Sequence, residues 1–232
     1  MTSLTRKTGA LQALLKKLWA AVSPLLLDPV AEPPDSLLRI KINAVSLAFA
    51  VAAVNGKIRP RQIKFIKKWT RDSISKGKSS RQIDRALRYA VKFWRKGYRM
   101  AVKDICEKLL RDCSLAHRHD VTELCLDVVR VKGCATAADI DILKKIAGCL
   151  NVDRARFRGM AERILPAYMH RAEDAELLVG ITSDMTAEQK RLQLNQEYRK
   201  WNSRVTSSDP QIRRQADQIL KFIAKTRQNS LH

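Results

Sequence analysis

A chain of 232 residues, 45 % of them hydrophobic, is long enough for one large or two small domains with true cores. No uninterrupted apolar run is long enough to span a bilayer. The five cysteines are odd in number and show no C-x-x-C spacing, which disfavours a disulfide framework and suits a reducing cytoplasm. The formal charge of +22 is concentrated: residues 1–40 carry +2, residues 41–100 carry +15, residues 101–180 balance, and residues 181–232 carry +5. So uneven a field points to a polyanionic partner on one side of the molecule, or to a set of solvated helix faces.

Glycine and proline are sparse, apolar residues recur at helical spacing, and no alternating β-branched runs bounded by hairpin turns occur. An all-α protein is predicted. The first helix, 8–23, lies in an apolar stretch broken by Lys16, Lys17 and Pro24. It either packs on the protein's own core or a partner, or lies on a membrane surface as an amphipathic anchor. The second, 36–54, contains "INAVSLAFAVAAV" (42–54), which is too short to span a bilayer and reads as a buried helix, and Asn55-Gly56 supplies a left-handed turn at its end.

Helix 60–75 and its approach are crowded with Lys57, Arg59, Arg61, Lys64, Lys67, Lys68 and Arg71. Helix 80–96 follows, with Ser79 and Gln82 in capping-box spacing. Arg81, Arg85, Arg88, Lys92 and Arg95 recur every three or four residues, which lays them along one face, and Arg99 extends the block. Such a stripe suits phosphates, anionic lipid or an acidic protein, and any nucleic-acid contact is expected to be backbone-directed.

Helices at 98–114, 118–131, 136–149 and 153–170 come next. The His117 and His119 of "HRHD" sit two apart, about 200° around a helix axis, and do not chelate from one helix. Neither a metal site nor a cofactor site is expected. No phosphate-loop, dinucleotide-binding, nucleophile-elbow or H-E-x-x-H pattern occurs, so no catalytic residue is assigned and the chain is read as a non-enzyme. Helices at 186–204 and 210–227 complete the chain, the last opened by Asp209 as cap and Pro210 in the first turn.

An internal echo organises the middle. "VNGKIRPRQIKFIKKW" (54–69) aligns without gaps on "VKGCATAADIDILKKI" (131–146), pairing Gly56 with Gly133, Gln62 with Asp139, and Lys67-Lys68 with Lys144-Lys145. Each copy reads as an αα-hairpin, and two copies predict a pseudo-symmetric bundle.

Both hairpins resemble the TerB (tellurite-resistance B) family and the similar domain of DjlA-type J proteins, whose hallmark is a small-residue helix, Asp-Gly, an apolar residue and a Glu heading the next helix. Here those acidic positions hold Asn55 and Gln62 in one copy, Lys132 and Asp139 in the other. The family's acids suit a hard cation, but these substitutions argue against carrying metal binding over. The resemblance implies a TerB-like bundle over 36–171, preceded by an N-terminal helix and linker over 1–35, with a J-like hairpin over 172–232.

In that hairpin, "LLVGI" (177–181) resembles the opening of a J domain, and 186–205 and 208–228 resemble its second and third helices. The family's His-Pro-Asp loop, which stimulates ATP hydrolysis by heat-shock chaperones, is replaced by Thr206, Ser207 and Ser208. A degenerate J-like element without that stimulation is expected. Its basic end, Arg199, Lys200 and Arg204, is left for docking. The sequence thus describes a cytoplasmic, non-enzymatic adaptor docking through its basic face on an acidic protein or an anionic membrane surface. A nucleic-acid-associated accessory protein and an atypical co-chaperone are the alternatives, and the oligomeric state stays open.

Overall fold

The computed structural model describes residues 36–72, 101–170 and 174–229, together with Arg85, Arg88, Tyr89 and Lys92. The expected helix at 8–23, the Ser79 cap, Arg81, Arg95 and Arg99 lie outside the described residues. Among those described, the elements are α1 (Ser36–Ala53), α2 (Pro60–Asp72), α3 (Val102–Asp112), α4 (Leu115–Lys132), α5 (Ala137–Cys149) and α6 (Arg154–Ile164). A 3-10 turn (Ala167–Met169) then leads to α7 (Ala175–Val179), α8 (Ala187–Asn202) and α9 (Pro210–Asn229). No strand occurs among them, so the chain is all-α, as its periodicity predicts.

Helices α1 and α4 lie at the centre. From α1, Val45, Leu47, Ala48, Phe49 and Val51 are buried, and from α4, Leu124, Cys125, Leu126, Val128 and Val129. A helix that is apolar on every side has to be surrounded. Helix α1 packs on α2, α3, α4 and α5, while α4 also receives α2, α5 and α6. Ser46, buried in α1, satisfies its hydroxyl by donating to the Ile42 carbonyl one turn back (2.9 Å).

The expected helix over 153–170 stops instead at Ile164. Leu165 precedes Pro166, and the proline ring drives its predecessor out of the α region, to φ −116°, ψ 80°. The chain re-enters as the 3-10 turn, where the Ala135 N–H donates to the Met169 carbonyl (2.7 Å). Helix α4 starts at Leu115, three residues before its expected start, because Ser114 caps it by accepting from the His117 N–H.

Helices α8 and α9 pack on one another around a second, smaller core of Val179, Leu194, Trp201, Ala216, Ile219 and Ile223. The short α7 joins the two cores, with Leu177 in the larger and Val179 in the smaller. Gly180 ends α7 in the left-handed region at φ +74°. A Cβ there would push on the Arg158 Nη1 and Gln193 Nε2 side-chain ends, both at 2.9 Å, and the left-handed backbone itself favours glycine at this joint.

Candidate functional site

Three constellations carry the charge chemistry. The first is the solvent side of α2. Gln62, Ile66 and Thr70 are buried at four-residue spacing and fix the helix against the bundle. At about 100° per residue, Arg61, Lys64, Lys67, Lys68 and Arg71 then fall within an arc of about 120° on the opposite side. All five are exposed, as are Lys57 and Arg59 ahead of the helix. Among the described residues, no carboxylate pairs with Lys57, Lys64, Lys67, Lys68 or Arg71. Arg85, Arg88 and Lys92 are helical and exposed too.

Two members of this group are not free. The Arg59 guanidinium donates to the Lys132 carbonyl (3.1 Å), and the Arg61 guanidinium bonds the same oxygen. Lys132 is the last residue of α4, where unpaired carbonyls concentrate partial negative charge. Arg59 and Arg61 therefore cap α4 and hold α2 against its end.

The second constellation lies beneath that cap, where the turns after α1 and α4 meet. Asp139 is 1 % exposed and Lys132 5 %. The Lys132 ammonium donates to Asp139 Oδ2. The same carboxylate accepts from Asn55 Nδ2 (2.8 Å), the Thr136 N–H (2.8 Å) and the Thr136 hydroxyl (2.7 Å). Asp139 thus completes the capping box of α5 and neutralises a buried cation at once. Of the residues singled out in the sequence, Asn55, Lys132 and Asp139 converge here, while Gln62 bonds one turn back along α4. Gln62 accepts from the Arg59 N–H (3.0 Å) and donates to the Val128 carbonyl (3.3 Å). The ammonium supplies the positive charge on this carboxylate. Among the described residues no group of three or more His, Cys, Asp or Glu side chains is placed to hold a metal ion. His117 bonds its cap Ser114, while His119 stands apart two residues on.

The third constellation is the seam between bundle and hairpin. Of the basic trio at the end of α8, only Arg199 is exposed and unengaged among the described residues. Lys200 Nζ meets Glu162 Oε2 at 2.5 Å, and Arg204 Nη1 meets Glu162 Oε1 at 3.1 Å. Both cations also lie over the Trp201 ring, at 5.2 and 4.6 Å from its centroid. Burial works against the Glu162 charge, but the hydrogen-bonded Lys200 and Arg204 outweigh it and hold the carboxyl below its ordinary range. Alongside, Glu197 is buried and takes the Arg158 guanidinium (2.7 Å) and the Trp201 indole N–H (3.1 Å). Lys144 bridges Asp174 and Glu176 at 2.7 and 2.9 Å.

Thr206, Ser207 and Ser208 lie between α8 and α9. At the start of α9 the Ser207 and Ser208 carbonyls accept from Arg213 Nη1 (2.7 and 3.1 Å), and Asp209 accepts from the Gln211 N–H (2.7 Å). The sequence reading missed Glu162, Glu197 and Arg158. Each finds its partner on another helix, and no local spacing announces such a pairing.

No protein-family model, curated protein or solved structure matches this chain. Geometry therefore carries the functional reading. Among the described residues, that geometry is a helical bundle with a basic face on α2 and a hairpin ion-paired to it.

Proposed function

We propose that this chain is a non-enzymatic adaptor of the TerB–J-like type that docks on an acidic protein through the outer face of α2. The observation that carries this reading is the row Lys64, Lys67, Lys68 and Arg71, exposed on a rigidly anchored helix without a carboxylate partner among the described residues. Cations left uncompensated on one face raise the local concentration of an anionic partner and fix its orientation. A protein partner is favoured over a membrane because the apolar side of α2 is committed to the core. None of the large exposed hydrophobic residues among those described lies on α2 to enter an acyl boundary.

The TerB-like part of the proposal is supported by correspondences at an offset of 77. Helices α2 and α5 both have 13 residues and begin at Pro60 and Ala137. Gly56 and Gly133 both take left-handed φ, +74° and +88°. Gln62 and Asp139 each accept the backbone N–H three residues back. The hairpin is proposed as a J-like scaffold without chaperone stimulation: Thr206, Ser207 and Ser208 stand where His-Pro-Asp would, and the Ser207 and Ser208 carbonyls are taken up by Arg213 of α9.

Binding of labelled polyglutamate, duplex DNA and phosphatidylserine vesicles across a salt series tests the reading. Polyglutamate is expected to bind, and the K64E/K67E/K68E variant to lose at least tenfold. Reversal of Lys103, Lys145 and Lys221, exposed cations elsewhere, is expected to cost far less. Equal losses from the two triple variants overturn the α2 face as the site. Preference for DNA or vesicles, abolished by the α2 reversal, overturns the acidic-protein partner.

A further inference from the structure

We infer that the end of α8 is a carboxylate-binding site whose internal occupant is Glu162, and that an acidic segment of a partner protein gains it by displacing that side chain. This goes beyond the α2 face and stands on different residues. The chain displays the ligand chemistry itself: one carboxylate spans Lys200 and Arg204, whose cations flank the Trp201 ring. Glu162 belongs to α6 in the bundle, 38 and 42 residues away in sequence, so its contact is tertiary and separable from the folding of α8.

The seam is built to exchange. Lys200 and Arg204 keep 33 % and 40 % of their side-chain surface in solvent, against 8 % for Glu197 beside them. A competing carboxylate therefore has an open approach to the two cations, while the Arg158–Glu197 pair stays closed. Arg199, exposed one residue before Lys200 and about 100° round the helix from it, is a further cation that Glu162 does not use. A tethered side chain competes at an effective concentration of order millimolar. A single free carboxylate is therefore outcompeted, whereas a run of Asp or Glu that also reaches Arg199 is not. Glu162 thus acts as a threshold that selects multiply acidic partners.

The test uses the full chain in the K64E/K67E/K68E background, so that the weakened α2 face contributes equally to every arm. A fluorescein-labelled oligoglutamate peptide is titrated into this parent, into the parent with Glu162→Gln, and into the parent with E162Q/K200Q/R204Q. Removing the internal charge is expected to tighten binding about tenfold, and the added K200Q/R204Q changes to abolish the gain. Equal affinity for parent and E162Q overturns the inference, and so does a gain that survives K200Q/R204Q. Should E162Q fail to fold, hydrogen exchange on the parent decides. Saturating peptide is expected to speed exchange at the last turn of α6, and unchanged exchange there overturns the inference. Failure here leaves the α2 reading standing, because the α2 residues are the same in every arm.

Discussion

Replacing Lys132 with methionine removes a charge while keeping most of a side chain's volume, and the structure sets the cost. Asp139, 1 % exposed, is left with the Asn55 amide and the Thr136 N–H and hydroxyl, but with no cation. Breaking a buried pair from one side costs about 3–5 kcal/mol, because the remaining charge stays desolvated. The three surviving hydrogen bonds put K132M at the lower end, about 3 kcal/mol. For a domain of this size that is a fall in Tm of roughly 6–12 °C. The assay is urea and thermal unfolding followed by circular dichroism for wild type, K132M, D139N and K132M/D139N. The double variant removes both charges and leaves an amide able to accept from Thr136, so it is expected to be at least 1 kcal/mol less destabilised than the two singles summed. If K132M lies within about 1 kcal/mol of wild type, or the cycle is additive, charge pairing is not what holds these turns together.

Further outcomes follow from single environments. His170 Nε2 faces the Leu165 carbonyl (3.0 Å), while Nδ1 is buried without a hydrogen-bond partner among the described residues. Burial, outweighing the Leu165 hydrogen bond and Asp174, lowers its pKa. The unfolded chain then takes up the proton first, so stability is full above the ordinary histidine pKa of about 6.5 and declines as pH falls below it. His170→Gln is expected to flatten that decline in urea titrations between pH 7 and 5, and an unchanged slope refutes the assignment. Gly133→Ala places a side chain at φ +88° and 3.2 Å from Arg61 Nη2, whereas Gly56→Ala meets the same strain in open space. Both are expected to lose about 1–2 kcal/mol for the left-handed backbone, with G133A the worse of the two in thermal unfolding. Burial pushes the Cys106 thiol up to about 12 and raises Cys125 further. Iodoacetamide at pH 8 is therefore expected to modify the half-buried Cys134 and Cys149 first, and rapid native labelling of Cys106 contradicts this.

The sequence shows the helices plainly because their signals are local. The apolar run of α1 and the Asp209 cap ahead of Pro210 fix element type within a few residues. The α2 face is legible for the same reason, since spacing along one helix settles which residues share a side. What stayed hidden depends on tertiary pairing. Arg59 and Arg61 look identical to Lys64 in sequence, yet they close the end of α4. Lys200 and Arg204 look like free docking cations, yet Glu162 occupies them. The break at Leu165-Pro166 was open to local reading, because a proline constrains the residue before it, but the apolar periodicity running through it masked the stop.

The five residues of α7 give the chain a property beyond binding. Leu177 is a brick in one core and Val179 in the other, with Gly180 pressed between Arg158 and Gln193. Any cut or recombination point near here strips side chains from both cores together. Bundle and hairpin are therefore expected to be inherited, degraded and unfolded as a unit, and the hairpin is a poor candidate for transplantation to another protein. A partner that displaces the Glu162 side chain therefore meets a hairpin still tied to the bundle, through α7 and through α9, where Gln215 donates to the Glu162 carbonyl (3.3 Å).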